Sequence, residues 1–447
     1  MRYIPHTPED ISHMLKVVGF DDVEALFDTV PEALQLGRPL NIPSGLSERD
    51  LLKHMASLAA KNHHGEEGVS FLGGGVYRHY RPIAMDHLLL RGELYTAYTP
   101  YQPEASQGTL QIIFEFQTLI AELLGVDVVN ASMYDGATSV AEAALMAARV
   151  TRRETIVVSE TVHPEYREVV KGYTESSDLT LVSVPGTSDG VADLDAIRAV
   201  VDGRTAGVIV GYPNFFGRPD DVAGAAEIAH DAGAQLIAAF QEAFAFGLMT
   251  PPGALGADIV AGEGQSLGVP PSYGGPHLGL FGCRQKQVRK MPGRLAGQTV
   301  DNRGQRGFVL TMSTREQHIR REKATSNICT NQGLMATAST IYMAMLGPDG
   351  LAKVARASHL RSEQTKRAVC ALEGFSARYE GATFNEFVVN TPRPAADIVR
   401  ELAAKGVAPG IALGHLGDGW ANALLITATE LTTDEDISTL CDALQGN

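Results

Sequence analysis

Short apolar segments alternate with amphipathic helical ones through the middle of the chain, and few folds accommodate that order. Ser139 to Arg149 carries a helical pattern, Thr155 to Val158 a β-branched strand, His163 to Tyr173 a helix and Leu179 to Val184 a strand. Leu194 to Val201, Gly207 to Val210, Val222 to His230 and Leu236 to Ala239 continue as helix, strand, helix and strand. Such alternation predicts an α/β fold, with a mostly parallel sheet covered by helices on both faces. A further strand, Ala257 to Ala261, opens into the loop GEGQSLG, Gly262 to Gly268. Loops at strand ends are where α/β enzymes hold their ligands. This one has no lysine, histidine or cysteine. It does not suit a dinucleotide either: its third glycine comes one residue late, and Pro270 and Pro271 stop a helix from starting there.

The flanks differ from the middle. Thr7-Pro8-Glu9-Asp10 offers an N-cap, a proline at the first helical position and an acid that closes the cap. Ile11, Met14, Leu15 and Val18 follow one helical face until Gly19. Ser47 to Asp50 repeats the signature, so residues 1–65 are expected to form a helical N-terminal arm. Residues 66–320 would form the large domain. After about Arg320 come helices at Gln332 to Leu346 and Leu351 to Leu372, and a strand at Glu386 to Val389. A helix at Ala395 to Lys405, a strand at Leu424 to Thr427 and a helix from Asp434 complete a small C-terminal α/β domain, 321–447.

Composition narrows the function classes. A chain of 447 residues holds two or three domains. Lys and Arg total 37 against 52 Asp and Glu, a formal charge of -15, which disfavours nucleic acid as a partner. The densest basic run, Arg284 to Arg294, is expected to be a solvated helix face, with a docking patch for an acidic partner as the other option. No apolar run is long enough to span a bilayer, and a cytoplasmic location is the simplest expectation. The four cysteines form no CxxC pair. His63 and His64 are adjacent, so their side chains diverge and make a poor chelate. No metal is expected.

Three segments invite a ligand. In NASMYDGATSVAEAA, from Asn130, a small polar loop opens directly into a helix, where backbone N–H groups make an anion site. Simple capping, with Ser139 and Glu142 as a capping box, accounts for the same pattern. YTAYTPYQPEASQG clusters Tyr95, Tyr98 and Tyr101 with Gln102, Glu104 and Ser106. Loops so rich in aromatic and polar groups bind a ligand or cross an interface, unless the prolines simply brace them. TREQHIRREKATSNICTN places Arg315, His318, Arg320, Arg321 and Lys323 ahead of small polar residues. Arginines favour carboxylate or phosphate, and a solvated helix end is the plain alternative.

The strings MRYIPHTPEDI, FLGGGVYRHY, YTPYQPEASQG, NASMYDGATS, HPEY, GEGQSLG and REQHIRREKATSNICT together resemble the P-protein family of the glycine cleavage system. The resemblance covers essentially the whole chain and points to the α subunit of the two-subunit form. It implies a PLP-dependent aminotransferase-like fold (fold type I). In enzymes of that fold a lysine carries PLP; the family reaction it implies uses the ring as an electron sink while CO2 leaves glycine, and passes the aminomethyl group to the lipoyl arm of H-protein. Here Gln265-Ser266 stands where the family's His-Lys pair stands, and Ser266 cannot form an imine. An aspartate that would pair with the ring nitrogen is replaced by Gln241 and Glu242 near the end of the Leu236 strand. The resemblance thus implies PLP held covalently by a β subunit partner, in an α2β2 assembly that acts on glycine and lipoylated H-protein. Asp135, Gly136, Thr138 and His163 would be a vestigial PLP pocket. This chain is expected to supply the second wall of the partner's site. Tyr95, Tyr98, Tyr101, Gln102, Glu104 and Ser106 would line the glycine and lipoyl channel. Thr325, Ser326 and Asn327 would reach the PLP phosphate, and Arg320 or Arg321 a carboxylate. Two alternatives remain at this level: a noncatalytic scaffold, or a free-standing PLP enzyme that uses an unrecognised lysine such as Lys286 or Lys290.

Overall fold

The computed structural model describes residues 5–62 and 68–446. His63, His64 and the expected boundary at residue 65 lie outside them. The chain divides into two compact units, Met1–His63 and His64–Asn447.

In the first unit, α1 (Pro8–Val18) has the anticipated start and stop. Thr7 and Asp10 close a capping box, and Gly19 ends the helix at φ 84°. The second helix, α2 (Glu48–Ala59), is capped by Ser47. Within this unit only Leu15 is buried among the described residues, and Val17, Leu34 and Ile42 are largely exposed. An arm with so much open apolar surface has no core of its own.

The second unit is built on a seven-stranded sheet. Its strands are β1 (Val128–Val129), β2 (Thr155–Ser159), β3 (Thr180–Val184), β4 (Thr205–Gly211), β5 (Gln235–Phe240), β6 (Ile259–Glu263) and β7 (Gly279–Cys283), in spatial order β1-β7-β6-β5-β4-β2-β3. Pairing from β3 through β6 is parallel, and β7 alone runs against its neighbours. Side-chain alternation explains why both faces are covered. Val157, Val208, Leu236 and Val260 point into one core, with α3 (Gln107–Leu124) and the helix Val222–Asp231. Ile156, Ile209, Ile237 and Ile259 point into the other, against α4 (Gly136–Thr151) and α5 (Pro164–Glu175).

The long helix α6 spans Gly333–Cys370 and is broken at Gly347, which sits at φ 62° and ψ 177° just before Pro348. A Gly-Pro pair interrupts the hydrogen-bond ladder there, so the two expected helices are consecutive halves. A four-stranded antiparallel sheet follows, in the order Ser376–Ala377, Glu386–Asn390, Ala423–Thr427, Ile411–Ala412. It encloses its own core of Phe387, Val389, Leu424 and Ile426.

Two expectations need correction. Asp135, not Ser139, caps α4: its carboxylate accepts from Thr138 N–H at 2.8 Å, and Thr138 Oγ1 accepts from Asp135 N–H at 3.3 Å. Ser139 instead donates to the Asp135 carbonyl, and Glu142 lies buried a turn later. The basic run is not one solvated face. Gln285–Lys290 is a 3-10 turn with Gln287 and Val288 buried, and Arg294 is only 2% exposed. The antiparallel β7 has two glycines among its five residues, and the hairpin Leu295–Val300 with Arg306–Thr311 mixes polar with apolar residues, so apolar periodicity announces neither.

Candidate functional site

The residues expected to form a vestigial cofactor pocket do come together, and the chain itself fills the space among them. At the start of α4, Gly136 N–H donates to Glu263 Oε2 at 2.9 Å. The other oxygen of Glu263 accepts from the N–H groups of Gly264, Gln265 and Leu278, at 3.1, 2.9 and 2.9 Å. A carboxylate thus sits where a helix N-terminus offers an anion site. Burial pushes the Glu263 carboxyl up to about 8, against the pull of these donors. A Cβ on Gly136 would lie 2.2 Å from Tyr166 Oη, so no side chain larger than hydrogen fits at that contact.

His163 caps α5. Its Nδ1 accepts from Glu165 N–H at 3.2 Å and its Nε2 donates to the Gly74 carbonyl at 2.8 Å. That pattern suits the neutral ring, and burial holds its pKa below the ordinary histidine value. One face of the ring stacks on Tyr166 at 4.8 Å, and Phe215 meets it edge-on. Its stacking surface is therefore taken by protein.

The glycine-rich segment from Phe71 closes what remains. Gly74 N–H and Tyr77 Oη donate to the two oxygens of buried Glu386, at 2.6 and 2.7 Å. Gln265 clasps the Tyr77 backbone through both ends of its amide, at 2.8 and 3.0 Å, and also donates to the Val269 carbonyl. Beside it, Ser266 is buried and its hydroxyl has no partner. Gln241 donates to the Asn214 carbonyl. The next residue, Glu242, bonds His79, which also bonds Glu430, at 3.0 and 2.7 Å.

These residues do not fit PLP. The start of α4 is occupied by Glu263, the His163 ring stacks on Tyr166, and Ser266, expected at the imine position, offers no amine. Among the described residues no lysine is buried, and Lys286 and Lys290 are exposed. An imine-forming lysine needs a desolvated amine. The purified chain mixed with PLP is therefore expected to show no imine absorbance and no borohydride-trapped lysine. A trapped adduct on any lysine would overturn this account of the pocket.

The two polar loops lie elsewhere, at the surface. Tyr95 and Tyr98 are 61% and 77% exposed, and Gln102 and Glu104 are exposed as well. Ser106 precedes α3 without a side-chain capping bond. The second loop comes beside the first: His318 meets Tyr101 edge-on at 5.3 Å. Arg320 and Arg321 are exposed there. Thr325 N–H donates to the Arg315 carbonyl, and Asn327 faces solvent. Ser326 turns inward, and its hydroxyl donates to Glu142 Oε1 at 2.6 Å. A cavity of about 130 Å³ separates Tyr98 and Thr99 from Thr330, Asn331 and Leu334. Sequence reasoning missed Arg294, which joins the two loops from below: its Nη2 donates to Tyr101 Oη at 2.8 Å and its Nε to Glu316 Oε2 at 3.1 Å. Its place at the end of a basic run gave no sign of burial.

Comparison with known proteins agrees with this architecture. The glycine cleavage system P-protein family matches residues 1–444. The probable glycine dehydrogenase (decarboxylating) subunit 1 of Sorangium cellulosum is 49% identical over 100% of this chain and 99% of its own. That of Anaeromyxobacter dehalogenans is 51% identical over the full length of both. A crystal structure of glycine decarboxylase (P-protein) of the glycine cleavage system, in inhibitor-bound form, superposes with a TM-score of 0.93 at 42% identity, covering 100% of both chains. Glutamate decarboxylase of Lactobacillus brevis shares the fold at 14% identity, with a TM-score of 0.70 over 94% of this chain and 96% of that one.

Proposed function

The chain belongs to the glycine cleavage system P-protein family, on its subunit 1 branch, and from that premise we propose that it completes an active site whose PLP is held by a partner subunit. The assembly is a cytoplasmic α2β2 enzyme. It decarboxylates glycine and hands the aminomethyl group to the lipoyl arm of H-protein. PLP supplies the electron sink for decarboxylation. This chain contributes the exposed tyrosine loop, Tyr95 to Ser106, as a wall of the glycine and lipoyl channel. Thr325 and Asn327 face the partner's phosphate, and Arg320 or Arg321 favours a carboxylate. Ser326 acts differently from the expectation, since its hydroxyl braces the loop against Glu142.

The observation that carries the reading is the contrast between two regions. The chain's own pocket is packed with Glu263, Tyr166 and Gln265, whereas three tyrosines stand open on a loop beside exposed arginines. Exposed aromatic clusters of this kind mark binding surfaces. The same contrast disfavours a free-standing PLP enzyme.

Replacing Tyr95, Tyr98 and Tyr101 together by alanine should lower glycine-dependent CO2 release about 10-fold or more, with the complex still assembled. Assembly is checked by size-exclusion chromatography and activity with the partner and H-protein present. Full activity of the triple variant would leave the scaffold reading as the better one.

A further inference from the structure

Arg294 is the largest fully buried side chain of the described residues, and no part of the proposed function uses it. It is 2% exposed and lies just before the hairpin strand Leu295–Val300. Its guanidinium faces three ways. Nε donates to Glu316 Oε2 at 3.1 Å, Nη2 to Tyr101 Oη at 2.8 Å, and Nη1 reaches Thr99 Oγ1 at 3.5 Å. Its Cζ also lies 5.0 Å from the Tyr101 ring centroid. Thr99 and Tyr101 belong to the tyrosine loop. Glu316 opens the short helix Gln317–Arg320 of the arginine loop and is itself 5% exposed. His318, on that helix, packs its ring edge against Tyr101 and places Nδ1 3.7 Å from Glu316 Oε2. One buried cation thus holds both loops.

Stability alone is a weak reason for such a pair. Burying two charges costs about as much as their attraction returns, and apolar residues of the same volume often serve better. Direction is what a guanidinium adds: a planar fork with several donors at set angles, which also stacks on an aromatic ring. A lysine has neither feature. We propose that Arg294 is a positioning residue for the composite active site, acting through Tyr101 and Glu316 to set the tyrosine loop against the arginine loop. This rests on the reading that the tyrosine loop lines the partner's site.

The test uses the complex reconstituted with its partner subunit, glycine and lipoylated H-protein. R294K retains the charge, and E316Q retains the shape of the pair. A second measurement is independent of activity: the fluorine resonance of Tyr101 in 3-fluorotyrosine-labelled complex, assigned by its absence in Y101F. R294K is expected to move that resonance. It should lower kcat/KM for H-protein about 10-fold, mainly through kcat, because a misplacement of about 1 Å is costly in an oriented site. The double variant R294K/Y101F should lose no more than the worse single one, the mark of residues acting as one unit. An unmoved resonance, or losses that simply multiply, would overturn the proposal. If the triple tyrosine variant is fully active, the proposed function fails instead, and the resonance alone then decides whether Arg294 positions Tyr101.

Discussion

Replacing Glu263 by alanine is expected to destabilise the chain by about 4 kcal/mol or more. Ionised, as it is above about pH 8, the carboxylate is the acceptor for four backbone donors, those of Gly136, Gly264, Gln265 and Leu278. Each buried donor left without a partner costs roughly 1–3 kcal/mol, and shared relaxation keeps the sum below simple addition. Glu263→Gln is the milder change. One amide oxygen still serves three donors, but the amide nitrogen then faces Gly136 N–H, a donor against a donor. About 1–3 kcal/mol is expected for that single mismatch. Denaturant midpoints of the two variants against the parent chain check both values. An alanine variant as stable as the parent would show that the four donors find other acceptors, and that Glu263 does not seal the cup.

The second large effect concerns His79. Its two ring nitrogens meet Glu430 and Glu242, and its side chain is 2% exposed. Burial pulls the imidazole down, but the two carboxylates outweigh it and push the pKa up to about 10. Burial likewise raises the Glu430 carboxyl, and the hydrogen bond and charge of His79 overcome that and hold it below its ordinary value. His79→Ala removes the cation and leaves two carboxylates in a buried site, at an expected cost of about 3–5 kcal/mol. The pH dependence has a definite sign. The folded chain binds this proton more tightly than the unfolded one, so the contribution is full below about pH 6.5 and declines from there to nothing near pH 10. His79→Gln should remove that decline from the stability profile between those limits. A profile unchanged in the variant would mean that His79 carries no buried proton.

His79 also shows where local reading stops. FLGGGVYRHY was legible as a glycine-rich, irregular segment, and it is one. Nothing local says that Tyr77 would bond Glu386, or that His79 would join Glu242 to Glu430; those partners lie far along the chain. The same holds for Glu263. The strand before it was legible, and so was a helix after the Tyr134 to Thr138 loop, though it starts at Gly136 and not at Ser139. That the first would deliver a carboxylate to the second follows only from β6 and α4 being packed side by side.

Elements with strong local signals came out of the sequence almost unaided. Short apolar runs alternating with amphipathic helices indicated β2 through β6 and a mostly parallel sheet, because strands covered by helices on both faces are apolar on both sides. Caps at Thr7 and Ser47 set the helix starts of the arm, and Gly347-Pro348 divided the long helix, because the backbone groups involved lie within a turn of one another. That Ser266 cannot form an imine was likewise readable, since an imine requires an amine. The identity of the α4 cap, the burial of Arg294 and the inward turn of Ser326 were decided only by tertiary structure. In each case a polar side chain takes its role from a partner brought to it by the fold, and hydrogen bonds between distant segments leave no periodic trace in the chain.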